Sequence, residues 1–412
     1  MDINLRGTKT YNECDGFISV TEVQTCLINI KQIMGSFNSA PKILNDDILD
    51  HDVNFSTNIS RHELIQHCQR QPLVHPMVKR AFRKARNGES NYGLKFRKLN
   101  TVTKGCSPEY ISNPHTLRVL QWNILSQALG QMNDNFAKCP DEALEWHSRR
   151  YLIIEELIEY CPDVICLQEV DHFNFLRHVL DTQGYSGVFY PKPDSPCFYI
   201  HGNNGPDGCA IFYRKDKFEL VKIETHVLEI WGVQSNQVAV LMILRVKETG
   251  REICVTTTHL KARNGALLST LRNEQGKDLV QFIGRHRGPR PLVLCGDFNA
   301  EPTEPVYASI VSDGALGVGS AYADRDADSG RGSADREPPY TTWKIRDEGE
   351  ICHTIDYIFY SKDDLEVEAV LELPTEEEIG ADRVPSFAYP SDHFTLVCDF
   401  KLRSSDRFAS SL

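Results

Sequence analysis

The chain has 412 residues, of which 41% are hydrophobic and 25% charged, with a formal net charge of -12. That size admits one large domain with an extension or two ordinary domains, and the composition is that of a globular protein rather than a disordered or fibrous one. The charge is uneven: residues 1–110 hold 15 Lys and Arg against 11 Asp and Glu, and the rest holds 30 against 46, an acidic body that binds nucleic-acid phosphates poorly without specific contacts.

The start, MDINLRGTKTYNECDGF, carries acids and lacks an apolar signal segment, and the apolar run VAVLMIL from Val238 is only strand-sized. A cytoplasmic protein without a transmembrane segment is expected. The 13 cysteines form no C-x-x-C pair; Cys166, Cys254, Cys295 and Cys398 sit inside apolar runs, as reduced thiols acting as small hydrophobes do. Residues 1–112 read as a divergent, partly disordered N-terminal extension. They are rich in Asn, His, Gln and Ser, and their apolar runs, such as GFISV and CLINI, are short. From Lys79 to Lys104 nine basic residues face one acid. Such a stretch is either a patch for RNA, a membrane surface or nuclear import, or simply a solvated helix and linker. CSPEYISNPH, with two prolines, sets the domain boundary near residue 112.

Regular patterning begins after it. LRVLQWNIL reads as a strand, and DEALEWHSRRYLIIEELIEYC as one helix capped by Asp141 and stopped by Pro162. DVICLQEV and CAIFYR are buried strands, and NQVAVLMILRV and REICVTTTHL form a hairpin turned at KETG. A helix over about Leu267 to His286 precedes the strand PLVLCGDFN, and TIDYIFYS and HFTLVCDFKL follow. This alternation predicts an α/β fold, a two-sheet β-sandwich flanked by helices, over residues 113–403. ADRDADSGRGSADREPP, from Ala323, predicts a mobile surface loop, and residues 404–412 a disordered tail.

Polar residues recur where these strands end. Asn123, Glu169, His259, Asp297, Asn299, Asp356 and His393 each close or open an apolar run. One such residue is ordinarily a satisfied structural hydrogen-bonder; the set together asks for a common site. Phosphate-ester hydrolysis wants this mixture. Glu169, helped by the Asn123 carboxamide, suits a hard divalent ion such as Mg2+, one or two in number. Asp297 can orient or deprotonate the attacking water, Asn299 and His259 can donate to the charge developing at phosphorus, and Asp356 can orient His393. Lys261 and Arg263, two apart beyond a strand end, and Lys192, stiffened by Pro193, form a basic clamp for a substrate with several phosphates.

QWNIL, CLQEVD, TTTHLKAR, CGDFNAEP, TIDYIFY and YPSDH, in this order, resemble the successive motifs of the exonuclease-endonuclease-phosphatase superfamily. FYPKPDSPC, HGNNGPDGCAIF and EPPYTTWKIR resemble, more narrowly, a branch near the Ccr4-type deadenylases. The resemblance covers about 70% of the chain. It implies a two-sheet α/β sandwich and a Mg2+-dependent removal of the 2′-phosphate from NADP+ and NADPH. It places Glu169 on the metal, His259, Asp297, Asn299 and His393 in the catalytic shell with Asp356 as partner of His393, and Lys192, Asn236 and Arg263 on the substrate. Where the branch commonly reads PKPWSPC, this chain carries Asp194 in place of Trp, which removes an apolar wall. NADP(H) is thus the expected substrate and a monomer the expected state. A 3′ exonuclease on poly(A) RNA and a non-catalytic scaffold are the alternatives; the acidic body disfavours the first, and the filled set of polar positions the second.

Overall fold

Strand alternation decides the layers. The computed structural model describes residues 59–85, 113–132, 134–325 and 332–403. A seven-stranded sheet runs in the order β1 (Phe82–Lys84), β14 (Leu365–Leu371), β15 (Leu396–Leu402), β2 (Thr116–Asn123), β3 (Val164–Val170), β5 (Gly208–Arg214) and β4 (Tyr185–Pro191). A six-stranded sheet runs β10 (Val318–Ser320), β13 (Asp356–Ser361), β9 (Leu292–Asp297), β8 (Glu252–His259), β7 (Val233–Val246) and β6 (Phe218–Ile230). A separate hairpin pairs β11 (Thr342–Arg346) with β12 (Gly349–His353).

Between the sheets, Val119, Cys166 and Ile211 of the first meet Val240, Val255 and Cys295 of the second in one buried cluster. Their chain neighbours point outward. Leu120, Trp122, Ile165 and Leu167 lie under the helices Trp146–Glu159 and Phe173–Thr182, and Leu241, Ile243, Leu292 and Leu294 under Ala266–Arg287 and Pro305–Val311. Strands covered on both faces need apolar residues throughout, which is why VICL and LVLC read as continuous runs. Each fully buried aliphatic side chain contributes about 1.5–3 kcal/mol. The α/β two-sheet sandwich is therefore as expected, and the helix Ala266–Arg287 falls within a residue of its expected ends.

Other expectations need correction. The stretch from Asp141 is two helices, Asp141–Leu144 and Trp146–Glu159, parted by Glu145 in an extended conformation (ψ 137°). Leu144 buries against Leu125 and Phe136, while Trp146 buries in the cluster under the first sheet. Residues two apart point to opposite sides of a helix, and the break lets them serve two cores. Asp141 lies inside the first turn, with Pro140 at the cap position.

Residues 59–85 belong to the packed body, although the expected boundary fell near residue 112. Ser60 and Glu63 form a capping box on the helix Arg61–Gln69, whose Leu64, Ile65 and Cys68 enter the core beside Trp146–Glu159. β1 adds an edge strand to β14, with Phe82 opposite Leu371. Two of the basic residues there are engaged: Lys79 sits 3.2 Å from Glu159 and Arg80 2.5 Å from Glu156. Residues 86–104 of the basic stretch and the tail 404–412 lie outside the described residues. The expected loop from Ala323 is tied down at both ends, by Arg336 to the Ala323 carbonyl (2.9 Å) and by the Tyr307 hydroxyl to Glu337 (2.8 Å); its middle, 326–331, is outside the described residues. Among the described residues no helix is long and apolar enough to cross a membrane.

Candidate active site

Two parallel pairs set the site at one end of the sandwich. β2 and β3 run parallel, as do β8 and β9, so Asn123, Glu169, His259 and Asp297 all emerge at C-terminal strand ends. His259 lies opposite Asp297, and β13 enters antiparallel with Asp356 opposite the same Asp297. One carboxylate thus stands between two polar neighbours by register alone.

The sheets meet through Asn123. Its Nδ2 donates to Asp297 Oδ2 at 2.9 Å and to Glu169 Oε1 at 3.0 Å. Its Oδ1 accepts from the Leu125 amide at 3.0 Å. Expected as a helper at the metal, Asn123 instead presents its amide nitrogen to both carboxylates. Glu169 sits at φ 54° at an irregularity where β3 leaves its register with β5, and this left-handed turn brings its carboxylate to Asn123 and the Ser126 amide (3.1 Å). Such a backbone position in a residue with a Cβ is strained and marks functional sites.

His393 completes the cluster. Its Nδ1 lies 2.8 Å from Asp356 Oδ2, which also accepts from the Thr341 hydroxyl at 2.7 Å. Its Nε2 is 3.7 Å from Asp297 Oδ2, and His259 Nε2 is 3.6 Å from the same oxygen. Asn299, at φ 49°, donates its backbone N–H to Asp297 Oδ1 (2.9 Å) and its side-chain amide to the Leu260 carbonyl (3.1 Å). It holds Asp297 in place as well as standing beside it.

Burial pushes Asp297 up to about 7, with His393 opposing and Asp356 adding to the rise. Burial alone would lower His393, but Asp356, Asp392 and Asp297 outweigh it and raise it to about 9. Burial, with Lys192 and His393 nearby, holds His259 well below its ordinary value. Near neutral pH the site therefore holds a neutral imidazole, an imidazolium and a carboxylate able to exchange a proton. His259 Nδ1 is buried without a partner among the described residues, while Nε2 faces Asp297.

Asp297, Asp356 and His393 place ligand atoms within 4.8 Å of one another, a grouping able to hold a metal. Asp356 and His393 already bond each other, however, and Glu169 offers a further hard oxygen beside Asp297. Oxygen donors of this kind fit a Mg2+ ion, which keeps several of its waters.

The basic clamp divides into anchored and open members. Lys192 donates to Asp207 Oδ2 at 2.5 Å, and Asp207, Glu169 and Cys197 outweigh its burial to keep it charged. Asn236 brackets the backbone of Asp194, accepting from its amide at 2.8 Å and donating to its carbonyl at 2.5 Å. Lys192, Pro193 and Asn236 thus form a braced wall. Lys261 and Arg263 have no side-chain partner among the described residues, and Arg263 is exposed. Burial, with Lys192 and Arg263, lowers the Lys261 pKa. Asp194 accepts from the hydroxyl of the exposed Tyr199 at 2.7 Å. Asn203 and Gly205 close a turn, with Gly205 N donating to Asn203 Oδ1 at 2.9 Å, while the Asn204 side chain donates to the Asp171 carbonyl at 2.8 Å.

Sequence reasoning missed several supports. Arg272 donates to the carbonyls of Lys261 (3.1 Å) and Arg263 (2.7 Å) while forking onto Glu304, fixing the loop that carries both cations. Buried Arg149 donates to the carbonyls of Ile124, Leu125 and Pro390, tying the loop after Asn123 to the one before His393. Gln168, legible beside Glu169 as a polar residue closing DVICLQE, exchanges amide bonds beneath the site with Gln121, which was not singled out, at 2.6 and 2.8 Å. Their partners lie far along the chain, so no local spacing announces them.

Residues 120–393 match the Endonuclease/Exonuclease/phosphatase family, and the chain belongs to that family of hydrolases. The particular relative it resembles is nocturnin. Drosophila melanogaster nocturnin is 54% identical over 391 residues, covering 90% of this chain and 60% of the fly protein. Homo sapiens nocturnin is 52% identical over 287 residues, covering 69% of this chain and 65% of the human protein. This chain therefore spans less than two thirds of either relative's length. The structure of the human nocturnin catalytic domain with bound sulfate anion superposes with a TM-score of 0.59 at 44% identity, covering 71% of this chain and 95% of that one.

Proposed function

We propose that the chain is a Mg2+-dependent phosphatase that removes the 2′-phosphate of NADP+ and NADPH, releasing inorganic phosphate and NAD+ or NADH. One observation carries the reading: strand ends from both sheets converge on Asp297, a buried carboxylate near neutrality between a neutral and a charged imidazole. Attack of water at phosphorus needs this arrangement. Asp297 accepts a proton from the water as its oxygen bonds phosphorus and the bond to ribose O2′ breaks. His393, oriented by Asp356, returns a proton to O2′, and His259 donates to a phosphate oxygen. Glu169, with Asp297 beside it, would hold Mg2+, which when bound polarises the phosphate oxygens. Lys192, Lys261 and Arg263 grip the remaining phosphates, and sulfate bound to the human relative is a phosphate-like anion consistent with such a clamp.

A deadenylase would need a track of cations and stacking aromatics for successive bases. Among the described residues the exposed aromatic side chains are Tyr199 and Trp231, and Lys79 and Arg80 face acids of the helix Trp146–Glu159. The dinucleotide reading is therefore preferred, in a monomer acting in the cytoplasm. Phosphate release from NADPH and NADP+ with Mg2+, alongside shortening of oligo(A) and with Glu169→Ala as control, tests it. Shortened oligo(A) with inert dinucleotides would reject it.

A further inference from the structure

The N-terminal segment reaches the back of His393. Arg80, with a side chain 5% exposed, donates from Nη1 to the Thr395 carbonyl at 2.9 Å and from Nη2 to Glu156 Oε1 at 2.5 Å. His75 stacks on Phe387, with centroids 5.5 Å apart and planes 15° from parallel. Met77, Val78 and Arg80 line one side of a small cavity; Trp122, Ser391 and His393 line another. The indole of Trp122 donates to the His393 carbonyl at 2.8 Å.

The cavity makes Arg80 matter. Side chains in a filled core are held by contact on every side, whereas a loop facing a void lacks those contacts there. Residues before His393 are pinned elsewhere: Pro390 by Arg149, and Ser391 by its bond to the Asn123 carbonyl at 2.6 Å. Beyond it, the Phe394 amide donates to the Thr341 carbonyl at 2.8 Å, but at the next residue the Thr395 hydroxyl is buried without a partner among the described residues, and the β15 ladder starts only at Leu396. The Arg80 guanidinium fills that gap, linking the Thr395 carbonyl to Glu156 on the rigid helix.

We propose that Arg80 is a positioning residue for the phosphatase site: from outside the family-matched region, it fixes the C-terminal side of the His393 loop so that the imidazole stays aligned between Asp356 and Asp297. The catalytic part of this proposal rests on the phosphatase reading; the positioning part does not. The basic stretch, at this residue, then serves the active site from behind rather than an RNA strand from in front.

The test uses the full chain with Arg80→Met and Arg80→Lys, steady-state phosphate release from NADPH with Mg2+, and amide hydrogen exchange without substrate. Arg80→Met is expected to lower kcat by about ten- to a hundredfold, the scale of a misplaced catalytic group, with KM within about twofold. Exchange should quicken in residues 388–396 and stay unchanged in β9. Arg80→Lys, which keeps a charged donor, should recover most of kcat and of the protection. Unchanged exchange at 388–396 in Arg80→Met overturns the proposal, as does quickening spread evenly over the sandwich or a loss carried by KM alone. If the unsubstituted chain is inert on NADP(H), the phosphatase reading fails while exchange still decides whether Arg80 positions the loop. If Arg80→Met does not fold, Arg80→Gln, too short to link the Thr395 carbonyl to Glu156, decides: faster exchange confined to 388–396 supports the proposal, and unchanged exchange overturns it.

Discussion

Replacing Asp356 with Asn removes a charge while keeping the shape, and an amide oxygen can still accept from the Thr341 hydroxyl. The rise of His393 from the ordinary 6.5 to about 9 corresponds, at 1.36 kcal/mol per pH unit, to about 3 kcal/mol in favour of the imidazolium. Asp356 is the foremost carboxylate behind that rise, and it is in direct contact at 2.8 Å. Asp392 is already shared with Lys344 and Arg346, and Asp297 stands off at 3.7 Å. Without Asp356, burial should prevail and His393 should lose its proton below neutrality. The stability sign follows from the raised folded-state pKa: this contribution is full below about 6.5 and fades as pH rises toward 9. Urea unfolding from pH 6 to 10 should show Asp356→Asn less stable at the acid end, with the gap shrinking toward pH 9. NMR titration of the His393 ring reads the pKa directly, and kcat near pH 8 should fall by about 10²- to 10⁴-fold, the range of general acid-base catalysis. A His393 ring that still titrates near 9 in the variant, or a stability gap independent of pH, would refute the electrostatic account.

Glu169→Ala should abolish Mg2+-dependent phosphate release with little change in thermal melting, because this carboxylate lies at the site rather than in the apolar core; retained activity would remove Glu169 from the metal. The pH profile of kcat/KM should be bell-shaped: activity rises as Asp297 ionises through about 7 and falls as His393 loses its proton through about 9. A profile flat between pH 6 and 10 would count against those assignments. Arg263→Ala should raise KM for the dinucleotide about tenfold, equivalent to about 1.4 kcal/mol, with kcat nearly unchanged; a loss confined to kcat would place the guanidinium on the transition state instead.

The sandwich was legible because its central strands are apolar on both faces, and the site because its polar residues interrupt those runs. Asn123, Glu169, His259, Asp297, Asp356 and His393 come together in the structure from that signal. The sense of Asn123 was not legible, since both faces of its amide look alike in a sequence and the Leu125 amide orients it. β6 escaped because Glu219, Lys222, Glu224 and Glu229 break its apolar pattern, as they can on a strand paired on one side only. Residues 59–85 escaped because a nine-residue helix and a three-residue strand carry too little periodicity to read. Arg149 and Arg272 carry no signal in the local pattern; only the fold aims them at carbonyls of distant loops.

The placement of β1 and β15 also bears on the order in which the chain can assemble. Phe82 finds its partner only at Leu371, and β15, which sits between β14 and β2, ends at Leu402. The first sheet therefore cannot close during synthesis until the chain has been made as far as Leu402. Until then Phe82 lacks its β14 partner and β2 lacks its neighbour β15, the topology that slows folding and exposes a nascent protein to aggregation. A chaperone that shields this early segment should raise the yield of folded protein more than one acting on the finished chain.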